Sequence, residues 1–478
     1  MGSRYLAIDI GASSGRAIVG EVDGEGRISL TEVYRFENGM KEHDGHLVWD
    51  IEGLYQRILE GMICARERGL QPDTVAIDTW AVDYVLLDSD DHMIGDAVAY
   101  RDSRTEGVKD RLEQEGILPF AEHYGRCGIQ YQPFNTCYQL LALKREHPEQ
   151  LSAAKSFLMV PDYLNFRLTG VKANEYTNAS TTALVAAKTM DWDDELISRL
   201  GLPRGIFQDI RMPGQVLGPL SADVEREVGY RAQVVLSATH DTGSAWLAVP
   251  ARDDKAVYIS SGTWSLLGCE RMRPITTPES AEANFTNEGG FEGRFRYLKN
   301  IMGLWMIQNV RREAKHADGT LPSWDELVQD ARAAGDAGFA SVVDVDEERF
   351  LAPASMSEEL QRACEESGQK VPQTAGELAS VVYRSLAQGY ARAIQELSRL
   401  TGTAYTSINI VGGGSANAYL NELTANAAKL PVFAGPMEGT ALGNVMVQAI
   451  TQGDFASLEE ARAAIRKSFA IKEVLSHE

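Results

Sequence analysis

The chain has 478 residues, 44% of them hydrophobic and 24% charged, with a formal net charge of −22. Single cores stop growing at roughly 250 to 300 residues, so two large globular domains are expected. The acidic balance argues against a surface made to neutralise a nucleic-acid backbone, although a local ring of backbone N–H groups holds a small phosphate on an acidic protein equally well.

The opening MGSRYLAIDIG lacks the charged-then-apolar order of a secretory signal, and no stretch approaches the roughly 20 apolar residues of a membrane helix. Cys64, Cys127, Cys137, Cys269 and Cys364 show no CxxC spacing. A cytoplasmic protein with no membrane or nucleic-acid partner is the expectation.

In chain order, RYLAIDIG reads as a strand, and RAIVGEVDGEGRISLTEVYRF as a hairpin broken at DGEG. Ile51, Leu54, Ile58, Leu59, Met62 and Ile63 recur at helical spacing behind Asp50, which is placed as an N-cap. TVAIDTWAVDYVLLDSDD predicts two more strands and a polar turn at Asp88 to Asp91, giving a mixed sheet flanked by helices. Near Lys255, KAVYISSGTWSLLGCE repeats the strand, small polar turn and strand of the N-terminus, a duplicated architecture without sequence identity. Ala375 to Leu400 has the period of a long helix, and SINIVGGGSANAYLNELTANAAKL that of strand, glycine turn and helix. The break falls at LSATHDTGSAWLAVP, which predicts domains at residues 1–246 and 247–478 joined by short hinges.

Five motifs carry chemistry. In DIGASSGRA, small residues let backbone approach a phosphate, Ser13 and Ser14 offer hydroxyls, and Asp9 suits a hydrated Mg2+; an ordinary tight turn has the same composition. SSGTWSLLG has the same description in the second half, and two such turns in a duplicated chain suggest two lobes gripping one chain of phosphates. Gly412, Gly413 and Gly414 leave bare backbone for adenine or ribose, or simply make a strand-to-helix turn. In THDTGSA, Asp241 is a candidate base for an alcohol proton, or a helix cap. In DTWAVDYVLLD, Asp78 and Asp83 surround Trp80, which fits carboxylates and an aromatic face for a sugar as well as turn-forming acids. HExxH, GxGxxG and GxxxxGK[ST] are all absent, and the GASSG of residues 11–15 lacks the strand-to-helix order of a hydrolase GxSxG elbow.

Taken together, DIGASSGR, DTWAVDYVLLD, AYRDSRT, PFNTCYQL, PDYLNFRLTG, EYTNASTT, THDT, SSGTWSL, NEGG, LKNIMGLW, VGGG and AGPMEGTALGN resemble the FGGY family of carbohydrate kinases, in order from Asp9 to Asn444. The resemblance implies an α/β, two-lobed, duplicated ribonuclease-H-like fold of the actin and hexokinase type, with a cleft between lobes. It implies ATP, Mg2+ and a ketose as ligands. Ala12, Ser13, Ser14, Gly15 and Arg16 would contact ATP phosphates, Thr263 would do so from the second lobe, Gln308 would add a nucleotide contact, and Gly413 and Gly414 would line the adenosine pocket. His240, Asp241, Thr242 and Asn300 would contact the sugar, with Asp241 as base. Ala81 and Asp83 belong to the sugar loop, where family members nearest this chain usually read DTWGVD and this chain has Ala81.

Overall fold

Strand β1 (Ser3–Ile10) is apolar along its length because it lies inside a sheet and is covered on both faces; Tyr5 to Ile8 are fully buried. The structure, a computed structural model, describes residues 2–477. β1 pairs antiparallel with β2 (Ser14–Val22), which turns into β3 (Ile28–Glu37) as the DGEG hairpin predicts. Two short strands, β4 (Met40–His43) and β5 (His46–Trp49), precede helix α1 (Ile51–Glu67). Asp50 caps α1 by accepting from Gly53 N at 2.9 Å, and Ile51, Leu54, Ile58 and Met62 form its buried face.

β6 (Thr74–Thr79) lies parallel to β1 on the side away from β2, and the full order is Val216–Pro219, Gln233–Val235, β6, β1, β2, β3. The next strand, β7 (Tyr84–Leu87), departs from the expected extension of this sheet: it pairs with Ser156–Met159 in a separate two-stranded ribbon. Between β6 and β7 the chain turns through Val82 at φ +69°, a left-handed conformation that is costly for a β-branched residue and redirects the strand.

The chain forms two compact units. The first comprises residues 1–248, 270–297 and 439–468; the second comprises 249–269, 298–438 and 469–478. In the first, the helix Gly439–Gln452 lies on the sheet, where Gln448 donates to Leu6 O at 3.1 Å and accepts from Thr74 Oγ1 at 2.6 Å. The short helix Asp241–Leu247 crosses it at Gly443, where a Cβ would stand 1.8 Å from Ser244 O, so only glycine permits that approach.

The second unit repeats the opening plan. Ala256–Ser261 pairs antiparallel with Trp264–Arg271 and parallel with Ser407–Val411, as β1 does with β2 and β6. Its strands run in the order Phe295–Met302, Trp264–Arg271, Ala256–Ser261, Ser407–Val411, Val432–Ala434, Lys472–Val474. The predicted long helix is Ala375–Thr401, capped by Thr374 and ended by Gly402 at φ +67°.

Candidate active site

In the first unit the β1–β2 turn is closed by Gly11 N donating to Ser14 O at 2.9 Å. Asn38, just beyond β3, clamps it from the side, its N donating to Ser13 O (3.1 Å) and its Nδ2 to Gly11 O (2.8 Å). Ser13 is exposed, Ala12 and Ser14 are half-buried, and Gly15 is glycine because the Phe36 ring occupies the space a Cβ needs. Arg16 Nη2 donates to Asp9 Oδ2 at 2.7 Å.

Three carboxylates gather at this end of the sheet. Asp9 and Asp78 are register partners on β1 and β6. Asp78 is fully buried; Asn444 Nδ2 donates to its Oδ2 at 2.6 Å, and its Oδ1 is buried without a partner. Burial and the charge of Asp9 together push its carboxyl far above the usual range. The same two causes push Asp241 up to about 7, against the hydrogen bonds it accepts from Thr242. Asp241 nevertheless keeps 32% of its side chain open, so its carboxylate is reachable by a ligand. Asp241 is the first residue of its helix and not its cap; His240 takes the cap position without a side-chain cap bond.

The approach to Asp241 is held from beneath. Thr79 N donates to Thr239 O at 2.9 Å, so the end of β6 runs beside Thr239 and His240. Glu175 Oε2 accepts from Thr239 N (3.0 Å) and Thr239 Oγ1 (2.7 Å), and Thr177 Oγ1 accepts from His240 N (3.2 Å). His240 also meets a fully buried Arg296, whose Nη2 lies 2.9 Å from its Nδ1. Burial and the Arg296 charge hold the imidazole well below its ordinary range, hence neutral.

The structure buries Asp83 inside the DTWAVD loop and not on its surface. Its carboxylate, 1% exposed, accepts from Trp49 Nε1 (2.6 Å), Trp80 Nε1 (2.9 Å), Gln139 Nε2 (2.9 Å) and Tyr100 N (3.1 Å). Burial pushes it up to about 6 despite these donors, and it orients two indoles whose centroids are 4.0 Å apart. Half-buried Ala81 precedes Val82, whose strained carbonyl accepts from Thr136 Oγ1 (2.6 Å) and Gln139 Nε2 (3.2 Å).

In the second unit, Thr263 is exposed on a turn closed by Gly262 N to Trp264 O at 2.9 Å. Leu304 N and Trp305 N donate to Gly262 O (2.9 Å) and Thr263 O (3.2 Å), so the IMGLW segment grips this turn from behind. The glycine turn packs against the same strand end: a Cβ on Gly412 would stand 2.9 Å from Ser261 O and one on Gly414 1.9 Å from Ser261 Oγ. Gly413 faces open space. Gln308 is half-buried on the helix Trp305–Glu313. Asn300, on the strand Phe295–Met302, has a buried Oδ1 with no partner. The glycines do not open the following helix directly, as the sequence suggested. A 3-10 turn, Gly413–Ala416, intervenes, and Asn417 caps the helix Ala418–Ala428 by accepting from Leu420 N at 3.0 Å.

Thus Asp9, Ala12 to Arg16, Ala81, Asp83 and His240 to Thr242 lie in the first unit, and Thr263, Asn300, Gln308, Gly413 and Gly414 in the second. Sequence reading missed Glu175, Glu288, Arg296 and Asn444 as site-supporting residues. EYTNASTT, NEGG and GTALGN were the local signals for Glu175, Glu288 and Asn444, and Arg296 had none.

The N-terminal domain of the FGGY family of carbohydrate kinases matches residues 4–248, and its C-terminal domain matches 257–452. The chain belongs to the FGGY family of carbohydrate kinases. This kinase is 48% identical to the rhamnulokinase of Halalkalibacterium halodurans over 98% of each chain. It is 43% identical to that of Bacillus subtilis, over 98% of this chain and 94% of the other. Its fold is shared with a gluconate kinase from Lactobacillus acidophilus (TM-score 0.80, 17% identity, 100% of this chain and 94% of that one). A xylulose kinase from Rhodospirillum rubrum is equally similar in fold (TM-score 0.80, 16% identity, 99% and 94%). The kinase has the two-domain, ribonuclease-H-like α/β fold, and its substrates are a sugar and ATP. Among the described residues, no helix is long and apolar enough to cross a membrane.

Proposed function

We propose that this kinase phosphorylates L-rhamnulose at O1, consuming ATP and giving the sugar 1-phosphate and ADP, with Asp241 as general base. The observation that carries the reading is the carboxylate of Asp241, accessible and lifted to about 7, in a chain 48% identical throughout to a rhamnulokinase. A base with a pKa near the working pH is unprotonated often enough to act and basic enough to take a hydroxyl proton.

The remaining roles follow the geometry of each unit. His240 and Thr242 flank the base and Asn300 offers an unpartnered carbonyl oxygen, which suits sugar hydroxyls. Ala81 lies on the loop that Asp83 holds against Trp49 and Trp80. The clamped Gly11–Ser14 turn, with Ala12, Ser13, Ser14, Gly15 and Arg16, is the first phosphate turn; Thr263 is on the second. Gln308, Gly413 and Gly414 serve the nucleoside.

The residues present fit Mg2+. Asp9 and Asp78 are adjacent oxygen donors, and the partnerless buried Oδ1 of Asp78 is the kind of atom a hard cation satisfies. Asp9 would hold the ion, which would supply positive charge to offset that of the transferred phosphoryl group. A cytoplasmic location fits a kinase that draws on cellular ATP.

Two outcomes are expected. kcat/KM for the sugar rises with pH to a plateau, half-maximal near pH 7, because the protonated form of Asp241 dominates below its raised pKa and cannot accept a proton. A limb near pH 4 would place Asp241 in the ordinary carboxylate range and remove this support. In a ketose panel read by coupled ADP release, L-rhamnulose gives the highest kcat/KM over L-fuculose and D-xylulose, and EDTA abolishes the signal until Mg2+ is restored. Preference for another ketose would reassign the substrate, and Ala81 is the first residue to examine.

A further inference from the structure

Arginine offers five N–H donors and no acceptor, so whatever meets its guanidinium at hydrogen-bond distance must accept. Arg296 is 1% exposed. Its Nε donates to Gly289 O at 2.8 Å, and its Nη2 lies 3.0 Å from Glu288 Oε2 and 2.9 Å from His240 Nδ1. Nδ1 therefore presents its lone pair to Arg296, and the single proton of the neutral imidazole resides on Nε2. An imidazolium would set N–H against N–H and charge against charge. Glu288 Oε2, 3.4 Å from Nδ1, supplies the counter-charge that lets the guanidinium stay buried.

The consequence reaches the base. His240 Nε2 is 3.4 Å from Asp241 Oδ1, the oxygen that also accepts from Thr242 N (2.6 Å) and Thr242 Oγ1 (3.2 Å). Oδ1 thus accepts two hydrogen bonds, both from Thr242, with Nε2 beside it at longer range, and Oδ2 accepts none from the described residues. We infer that Arg296 and Glu288 are positioning residues that lock His240 as its neutral Nε2–H tautomer, which sets a proton, and not a lone pair, beside the Oδ1 that Thr242 already ties and leaves Oδ2 as the atom that takes the sugar proton. The inference rests on the reading of Asp241 as base. In the step itself the O1–H bond breaks toward Oδ2 while O1 forms its bond to the γ-phosphorus and ADP leaves with the electrons of the broken P–O bond.

The tautomer is measurable without turnover. The full chain, labelled with 15N-histidine, has eight histidines, and His240 is assigned by the resonances lost in His240→Gln. Between pH 6 and 8 its ring should show Nε2 protonated and Nδ1 bare. A proton on Nδ1, or an imidazolium at pH 6, would overturn the inference. Arg296→Met should mix the tautomers and lower kcat about 10- to 100-fold, the usual cost of losing a group that orients a working side chain, with the KM for ATP unchanged. Arg296→Lys, which restores a cationic donor, should recover part of the loss. Full kcat in Arg296→Met contradicts the proposal. If that variant does not fold, the spectrum of the unaltered chain decides alone. Should Asp241→Asn retain turnover while His240 shows the expected tautomer, the base assignment fails and the lock stands.

Discussion

Asp241→Asn lowers kcat by roughly 10²- to 10⁴-fold, the range a positioned general base contributes, while ATP binding by titration calorimetry is unchanged. The amide keeps an acceptor oxygen for Thr242 N, so the first turn of the helix Asp241–Leu247 is preserved. What is lost is the capacity to take a proton. Stability should not fall, because burial and Asp9 already disfavour a charge at this position and the amide carries none. A variant with full turnover removes Asp241 from the chemistry; one that no longer binds ATP shows that the residue supports the nucleotide instead.

Gly303→Ala raises the KM for ATP about 5- to 150-fold, the factor that corresponds to an overpacking cost of roughly 1–3 kcal/mol, and leaves the KM for sugar unchanged. The added Cβ would stand 2.6 Å from Trp264 C, 2.7 Å from Thr263 O and 2.8 Å from Gly262 O. All three are backbone atoms, so no side-chain rotation relieves the overlap and the turn bearing Thr263 must move. Gly24→Ala, with nothing within 4 Å, is the control and should match the unaltered enzyme. An unchanged KM for ATP in Gly303→Ala would separate that turn from nucleotide binding.

Much of this architecture is written locally. The apolar run of β1, the DGEG hairpin, the Asp50 cap and the period of Ala375–Thr401 each depend on neighbours within a few positions, and each formed where its pattern lies. The duplicated hairpin-plus-parallel-strand plan was legible for the same reason. β7 went elsewhere because its partner, Ser156–Met159, is more than 60 positions away and the strain at Val82 turns the chain off the sheet. Nothing local marks Arg296 and Glu288 as companions of His240; a buried arginine looks like any surface arginine until the fold supplies Glu288 beside it. Asp83 reads as a sugar ligand in DTWAVD, yet its oxygens face Trp80 of the same motif and Trp49, Gln139 and Tyr100, which arrive from three other segments. Motif composition gives the chemistry available at a turn, and long-range packing decides which side chains are free to use it.

The central claim is transfer of a phosphoryl group to a ketose hydroxyl, in distinction to hydrolysis of ATP. A 31P NMR time course of the purified protein with ATP, Mg2+ and L-rhamnulose tests it most directly. The account predicts a sugar 1-phosphate resonance growing in step with ADP and no excess inorganic phosphate. ADP appearing with inorganic phosphate alone, or an unchanged ATP spectrum, would contradict it.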